Sequence, residues 1–147
     1  MLEPLVSLEF RRPRQAYFPG ELLECECQVD ALEADEIMAV ESSVLWYTEG
    51  KGEEDFHVHH FERRVPTDAE EGDLRPLHRF STTLPNSPLS YSGAIVKVRW
   101  CARVRVFLRR GKEALLEKPF ILGNVPGGQP VALPESEAAS DPAEVGM

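Results

Sequence analysis

The sequence AIVKVRWCARVRVFLR, residues 94–109, decides the fold. Every second residue from Ala94 to Leu108 is apolar, and five of the eight residues that alternate with them are Lys or Arg. Strict two-residue alternation is typical of a β-strand with one buried face and one face in water. At about 3.3 Å per residue the strand would span roughly 50 Å, so we expect it to bend, to carry a bulge or to pass from one sheet to another.

Six further segments are predicted to be strands, because aliphatic, β-branched and aromatic residues alternate with polar ones in each. Turns rich in Pro and Gly, or short polar loops, separate them. In the third of these segments we expect Met38 to share the buried face with Val44 and Trp46. The segments cover residues 5–10, 21–30, 37–48, 55–65, 79–84 and 114–122.

About seven strands with almost no helix signal predict an all-β protein, namely an antiparallel β-sandwich, with a closed barrel as the structural alternative. We assign residues 1–123 to this single domain. Residues 124–147 contain four acidic residues, no basic residue and many Gly, Pro, Ala and Ser. This composition predicts a disordered acidic C-terminal tail.

Composition narrows the classes of function. The net charge of -9 argues against general nucleic-acid binding and against adsorption to anionic lipid. No stretch has the 18 to 20 apolar residues, roughly, of a membrane helix, and the first residues lack the order of a signal peptide. Cys25, Cys27 and Cys101 lie within predicted strands, where packing is their expected role, and free thiols favour a reducing compartment. We therefore expect a cytoplasmic protein without membrane insertion.

Two motifs in this order resemble those of arrestin-like domains. The first is Tyr-Phe-Pro-Gly-Glu at residues 17–21, a turn followed by an alternating strand. The second is Leu84-Pro85 followed by Ser-Pro-Leu-Ser-Tyr-Ser-Gly at residues 87–93, directly before the long strand. The resemblance covers about residues 5–123. It implies an arrestin-like, broadly immunoglobulin-like sandwich that acts as a non-enzymatic adaptor or scaffold, although arrestins carry two such sandwiches and this sequence has the length of one.

The basic face of the long strand is the first candidate site. A row of cationic side chains there could bind acidic or phosphorylated peptides of partner proteins, since arginine forks match such oxygens. Alternatively, these side chains pair with acids on neighbouring strands, for instance Glu24, Glu26 or Glu117. An exposed sheet edge could also pair with a peptide or with a second copy of the chain. The row consists of Lys97, Arg99, Arg103 and Arg105.

The histidines suggest a different class of function, the binding of a metal ion or a small ligand. His57 and His59 are predicted on one face of a strand with His60 on the opposite face, and His78 lies elsewhere in the chain. If His57, His59 and His78 converged, they could hold a zinc or copper ion in a metal- or small-ligand-binding sandwich, possibly an enzyme. No Cys-x-x-Cys or His-Glu-x-x-His motif accompanies them. We therefore expect no cofactor and no catalytic residue.

Overall fold

The computed structural model describes residues 5–52 and 54–123. The tail predicted for residues 124–147 lies outside the described residues. Within the described part, seven strands of six or more residues correspond to the seven predicted ones, and two strands of two residues join them. The strands are β1 (Leu5–Phe10), β2 (Ala16–Tyr17), β3 (Leu22–Asp30), β4 (Ile37–Gly50), β5 (Phe56–Arg64), β6 (His78–Thr83), β7 (Tyr91–Ser92), β8 (Val96–Leu108) and β9 (Glu113–Leu122).

The described strands form two sheets. The small sheet has the order β1-β3-β6, and the large sheet has the order β2-β9-β8-β4-β5, with β7 paired to β8. All pairs are antiparallel except the two-residue contact of β2 with β9. The strand β8 stays within the large sheet over its whole length and does not pass to the small one. The prediction of an all-β sandwich is therefore confirmed, with one short parallel pair that the sequence did not indicate.

The core lies between the two sheets and includes one face of β8. Trp100, Ala102, Val104 and Val106 are at most 1% exposed, and they belong to one cluster with the inward side chains of β1, β3, β4 and β6. The alternating pattern thus identified the correct face of β8. The alternating pattern begins before the core does, since Val96 at the first position of β8 is 37% exposed.

The two sequence motifs contact each other at one end of the sandwich. Gly20 has φ +87°, a left-handed conformation that residues with a side chain rarely adopt. Its N–H donates to Leu84 O at 2.9 Å, and Leu84 N–H donates to Glu21 O at 2.8 Å. The Pro-Gly turn and the Leu-Pro segment therefore hold each other in place beside the start of β3.

A bulge near the start of β4 changes the direction of one side chain. The pairing of β4 with β8 shifts between Ile37 and Ala39, so Met38 has no partner in the register and is 52% exposed. The prediction that Met38 shares the buried face with Val44 and Trp46 is wrong. An extra residue in a strand breaks the two-residue period, and Met38 occupies that position.

A second bulge lies between β4 and β5. Val44 pairs with His60 and Leu45 pairs with Val58, so His59 is the extra residue. His60 consequently lies on the inward side of the sheet, as His57 does. The prediction that His60 faces away from His57 and His59 is therefore wrong, because it assumed regular alternation through this position.

Candidate interaction surface

The outer face is the side of the large sheet that points away from the core. Alternation along each strand places the predicted basic row on this face, together with outward side chains of β4, β5 and β9. It combines guanidinium groups, carboxylates and apolar side chains. Its members include Glu41, Ser43, Leu45, Tyr47, Glu49, Phe56, Val58, Phe61, Arg63, Lys97, Arg99, Cys101, Arg103, Arg105, Phe107, Glu113, Leu115 and Glu117.

A groove of about 190 Å³ runs along the outer face. Ser43 and Leu45 of β4 form its floor. In the register, Ser43 lies between Arg103 of β8 and Phe61 of β5, so the strands on either side supply two walls of different chemistry. The lining residues are Glu41, Ser43, Leu45, Phe56, Val58, Phe61, Arg103 and Arg105.

The wall formed by β5 is apolar and open to solvent. Phe56, Val58 and Phe61 are each about half exposed, between 49% and 54%. Large apolar side chains grouped on a surface, rather than scattered singly, are typical of sites of interaction. The sequence contains this signal, since these apolar residues are interspersed with the histidines of β5.

The wall formed by β8 is cationic. Arg103 Nε donates to Glu117 Oε2 at 2.7 Å, and the Arg103 guanidinium lies 5.2 Å from the centre of the Phe56 ring. Arg105 Nε lies 3.6 Å from Glu113 Oε1, too far for a hydrogen bond. This Nε is buried and has no hydrogen-bond partner within the described part of the chain.

The other two members of the basic row lie outside the groove. Arg99 is 8% exposed and forms an ion pair with Glu49 on the neighbouring strand β4. Lys97 lies opposite Glu49 in the register. The structure therefore places all four basic residues on one face, but only Arg103 and Arg105 line the groove.

The acids considered as partners for the basic row occupy both sheets. Glu117 of β9 pairs with Arg103. Glu24 and Glu26 belong to β3 in the small sheet, where they pair instead with Arg11 at 3.3 Å and with Arg79 at 2.7 Å. Assigning such partners requires the order of the strands, which the local pattern does not contain.

The three histidines considered for metal binding contact different groups. The His57 ring stacks on Trp46 with ring centres 4.4 Å apart, while His59 Nε2 lies 2.9 Å from Thr83 O. His78 Nε2 lies 2.8 Å from a carboxylate oxygen of Glu62. Over residues 5–52 and 54–123, no group of three or more His, Cys, Asp or Glu side chains is arranged to hold a metal ion.

Histidines instead connect the two sheets along one side of the sandwich. His60 of β5 lies parallel to Phe80 of β6, with ring centres 6.2 Å apart. The two carboxylate oxygens of Glu62 on β5 lie 3.3 Å from His60 Nε2 and 2.8 Å from Nε2 of His78 on β6. These contacts, with that of His59 to Thr83, fix β5 against the small sheet and leave its outer side chains free to face solvent.

The three thiols are buried at different places: Cys25 and Cys27 lie in the core between the sheets, whereas Cys101 lies on the outer side of the large sheet, beside Leu45 and Pro119. Cys25, Cys27 and Cys101 are free and at most 3% exposed. Burial raises the pKa of Cys25 and of Cys101 to about 12, and burial also raises the pKa of Cys27. Thiols with such pKa values are protonated near neutral pH, which opposes a role as nucleophiles.

Comparisons with known proteins give a likeness in fold. No family model matches the chain, and no curated protein matches it. Among the solved structures that match is Spo0M, a sporulation control protein from Bacillus subtilis, with a TM-score of 0.58 and 16% sequence identity. The match covers 83% of this chain and 50% of the Spo0M chain, so the chain spans about half the length of that protein. The fold is accordingly an arrestin-like β-sandwich.

The described residues include no helix that is long and apolar enough to cross a bilayer. Their helical segments are four 3₁₀ turns of three residues each, at Ala34–Glu36, Pro66–Asp68, Glu70–Gly72 and Arg109–Gly111.

Proposed function

We propose that this domain is a non-enzymatic, cytoplasmic adaptor or scaffold that binds an extended segment of a partner protein in the groove of the outer face. An arrestin-like fold is consistent with an adaptor or regulatory role. The three free, buried thiols support a reducing compartment. Because function resides in a site rather than in a fold, the groove carries the proposal.

The observation that carries the proposal is the pairing of two unlike walls. Phe56, Val58 and Phe61 offer apolar surface on one side of the groove, and Arg103 and Arg105 offer guanidinium groups on the other. Aromatic residues and arginine are enriched where proteins bind one another. A segment that fits both walls has apolar side chains on one side and acidic side chains on the other, as an extended chain with alternating residues does.

Arg105 indicates where an acidic group of the partner would bind. Its buried Nε lacks a hydrogen-bond partner among the described residues, and its neighbour Glu113 lies 3.6 Å away. A buried donor without an acceptor is costly, so a carboxylate or phosphate oxygen of a ligand would gain by reaching it. Acidic segments and phosphorylated segments both supply such oxygens. Comparing their affinities for the domain would show which of the two it prefers.

Selection from a library of synthetic 12-residue peptides on the immobilised protein tests the proposal. We expect the retained peptides to alternate apolar and acidic residues. Phe61→Ser removes one of the three side chains of the apolar wall, and Arg105→Gln removes one of the two cations. Each change is expected to raise the dissociation constant of a retained peptide about tenfold or more. Fluorescence anisotropy of the labelled peptide measures these constants.

Arg79→Gln is the matched control for Arg105→Gln. Arg79 also pairs with a glutamate on a neighbouring strand, but it lies on the small sheet and is 60% exposed. Its replacement is expected to leave peptide affinity unchanged. Retained peptides that bind the Phe61→Ser and Arg105→Gln proteins as tightly as the original would contradict the assignment of this groove.

A further inference from the structure

The edge of β5 offers a second surface, which adjoins the groove and shares the side chains of Phe56, Val58 and Phe61 with it. In the described part of the chain, β5 ends the large sheet and pairs only with β4. An edge strand presents unpaired backbone N–H and C=O groups, which natural proteins protect with proline, lysine, β-bulges, short length or covering elements, and of these β5 carries the bulge at His59. β5 has nine residues without proline or lysine, and its charged residues occupy only its last three positions, 62–64.

We propose that β5 pairs antiparallel with β5 of a second copy, so that two large sheets join into one continuous sheet across a two-fold axis. The occupant of this edge is thus the same chain, because the strand is complementary to itself. The proposal goes beyond peptide binding in the groove, since it concerns the backbone edge and a different partner.

The bulge at His59 determines which register is possible. Val58 and Phe61 would point to opposite faces in a regular strand, because their separation is odd. The extra residue brings both to the outer face, where their β4 neighbours Leu45 and Ser43 also lie. Residues directly opposite each other in a sheet share a face, so Val58 can lie opposite Phe61 of the partner subunit.

This register places compatible side chains opposite each other on both sides of its centre, where His59 lies opposite His60 of the partner subunit. It places Phe56 opposite Arg63 of the partner subunit on the outer face, which pairs a ring with a guanidinium. On the inner face it places His57 opposite Glu62 of the partner subunit. Two-fold symmetry makes each of these pairs occur twice. Sliding the register by two residues would place Val58 opposite the partner's Arg63 and lose the apolar pair.

The mass of the full chain in solution tests the proposal. Sedimentation equilibrium from about 1 µM to about 500 µM is expected to show a monomer–dimer equilibrium. Val58→Lys places a charge beside the centre of the pairing, and Val58 is half exposed, so the fold tolerates the change. We expect the dissociation constant of this variant's dimer to be at least tenfold higher than that of the original. Leu5→Lys, on the edge strand β1 of the small sheet, is the control and is expected to dimerise as the original does.

Cross-linking tests the register. A mixture of the Val58→Cys and Phe61→Cys proteins is expected to form a disulfide-linked dimer on mild oxidation, since opposed residues lie within bridging distance. The Val58→Cys protein alone is expected not to, because the two thiols would lie roughly 10 Å apart. The native thiols are buried, and the cross-linking of the original protein gives the background that they contribute.

Two outcomes would overturn the proposal: a monomer at every concentration, or a dimer that Val58→Lys leaves intact. The Arg105→Gln protein separates the two proposals, because it should lose peptide affinity and keep its dimer. Failure of peptide binding with an intact, Val58-dependent dimer would refute only the groove. Failure of dimerisation with intact peptide binding would refute only the edge.

Discussion

Replacing Trp100 with alanine is expected to lower the free energy of unfolding by about 3–5 kcal/mol. Trp100 is 1% exposed at the centre of the core face of β8, and its ring centre lies 5.8 Å from that of Phe120. Its Nε1–H also donates to Pro88 O at 2.8 Å, so the change removes a hydrogen bond as well as packing. Urea denaturation followed by circular dichroism measures the loss.

Two control variants separate packing from the hydrogen bond and from general fragility. Trp100→Phe keeps a large ring but loses the N–H, and its expected cost is smaller, about 1–2 kcal/mol. Leu115→Ala changes a half-exposed side chain on β9 and is expected to stay within about 0.5 kcal/mol of the original. A Trp100→Ala protein that loses less than about 1 kcal/mol would show that β8 does not anchor the core.

The strands could be predicted from the sequence because most of them have one face in the core and one in water. The alternation in β8 follows directly from this arrangement, and Cys25 and Cys27 in β3 likewise fall on the buried face. The pattern also placed the basic residues of β8 on one face. These features depend on neighbours within a single strand, which a local reading of the sequence contains.

The bulges could not be predicted, because a single extra residue leaves the composition of a strand unchanged. Met38 is apolar and fits an apolar position equally well whether it points inward or outward. The doubled histidine at residues 59 and 60 was a possible sign of the second bulge. Only the pairing with β4 shows that His59 is the extra residue there.

The groove depends on the order of three strands, which the sequence does not specify locally. Arg103 and Phe61 lie on either side of Ser43, although 42 positions separate them along the chain. Alternation predicts that Arg103 faces solvent, but not that an aromatic wall lies across from it. The hypothesis of a cationic site was therefore incomplete, since it lacked the apolar half of the surface.

The second large effect is expected at alkaline pH, where stability should fall steeply above pH 9. Burial raises the pKa of Cys25 and Cys101 from the ordinary value of 9.0 to about 12 in the folded protein. The folded state therefore keeps two protons that the unfolded state releases. The stabilisation is fully present below pH 9 and is lost between pH 9 and about 12, at roughly 1.4 kcal/mol per pH unit for each thiol.

Urea denaturation at intervals from pH 7 to 10.5 measures this slope, and cysteine variants assign it. Burial raises the pKa of Cys27, Tyr17 and Tyr47 as well, so these groups add to the fall in the same direction. Cys25→Ala and Cys101→Ala each alter stability at pH 7, but the informative quantity is the slope above pH 9, which each should reduce by about 1.4 kcal/mol per pH unit. An unchanged slope in the double variant, Cys25→Ala with Cys101→Ala, would mean that the thiols ionise without unfolding. Water would then reach both thiols in the folded protein.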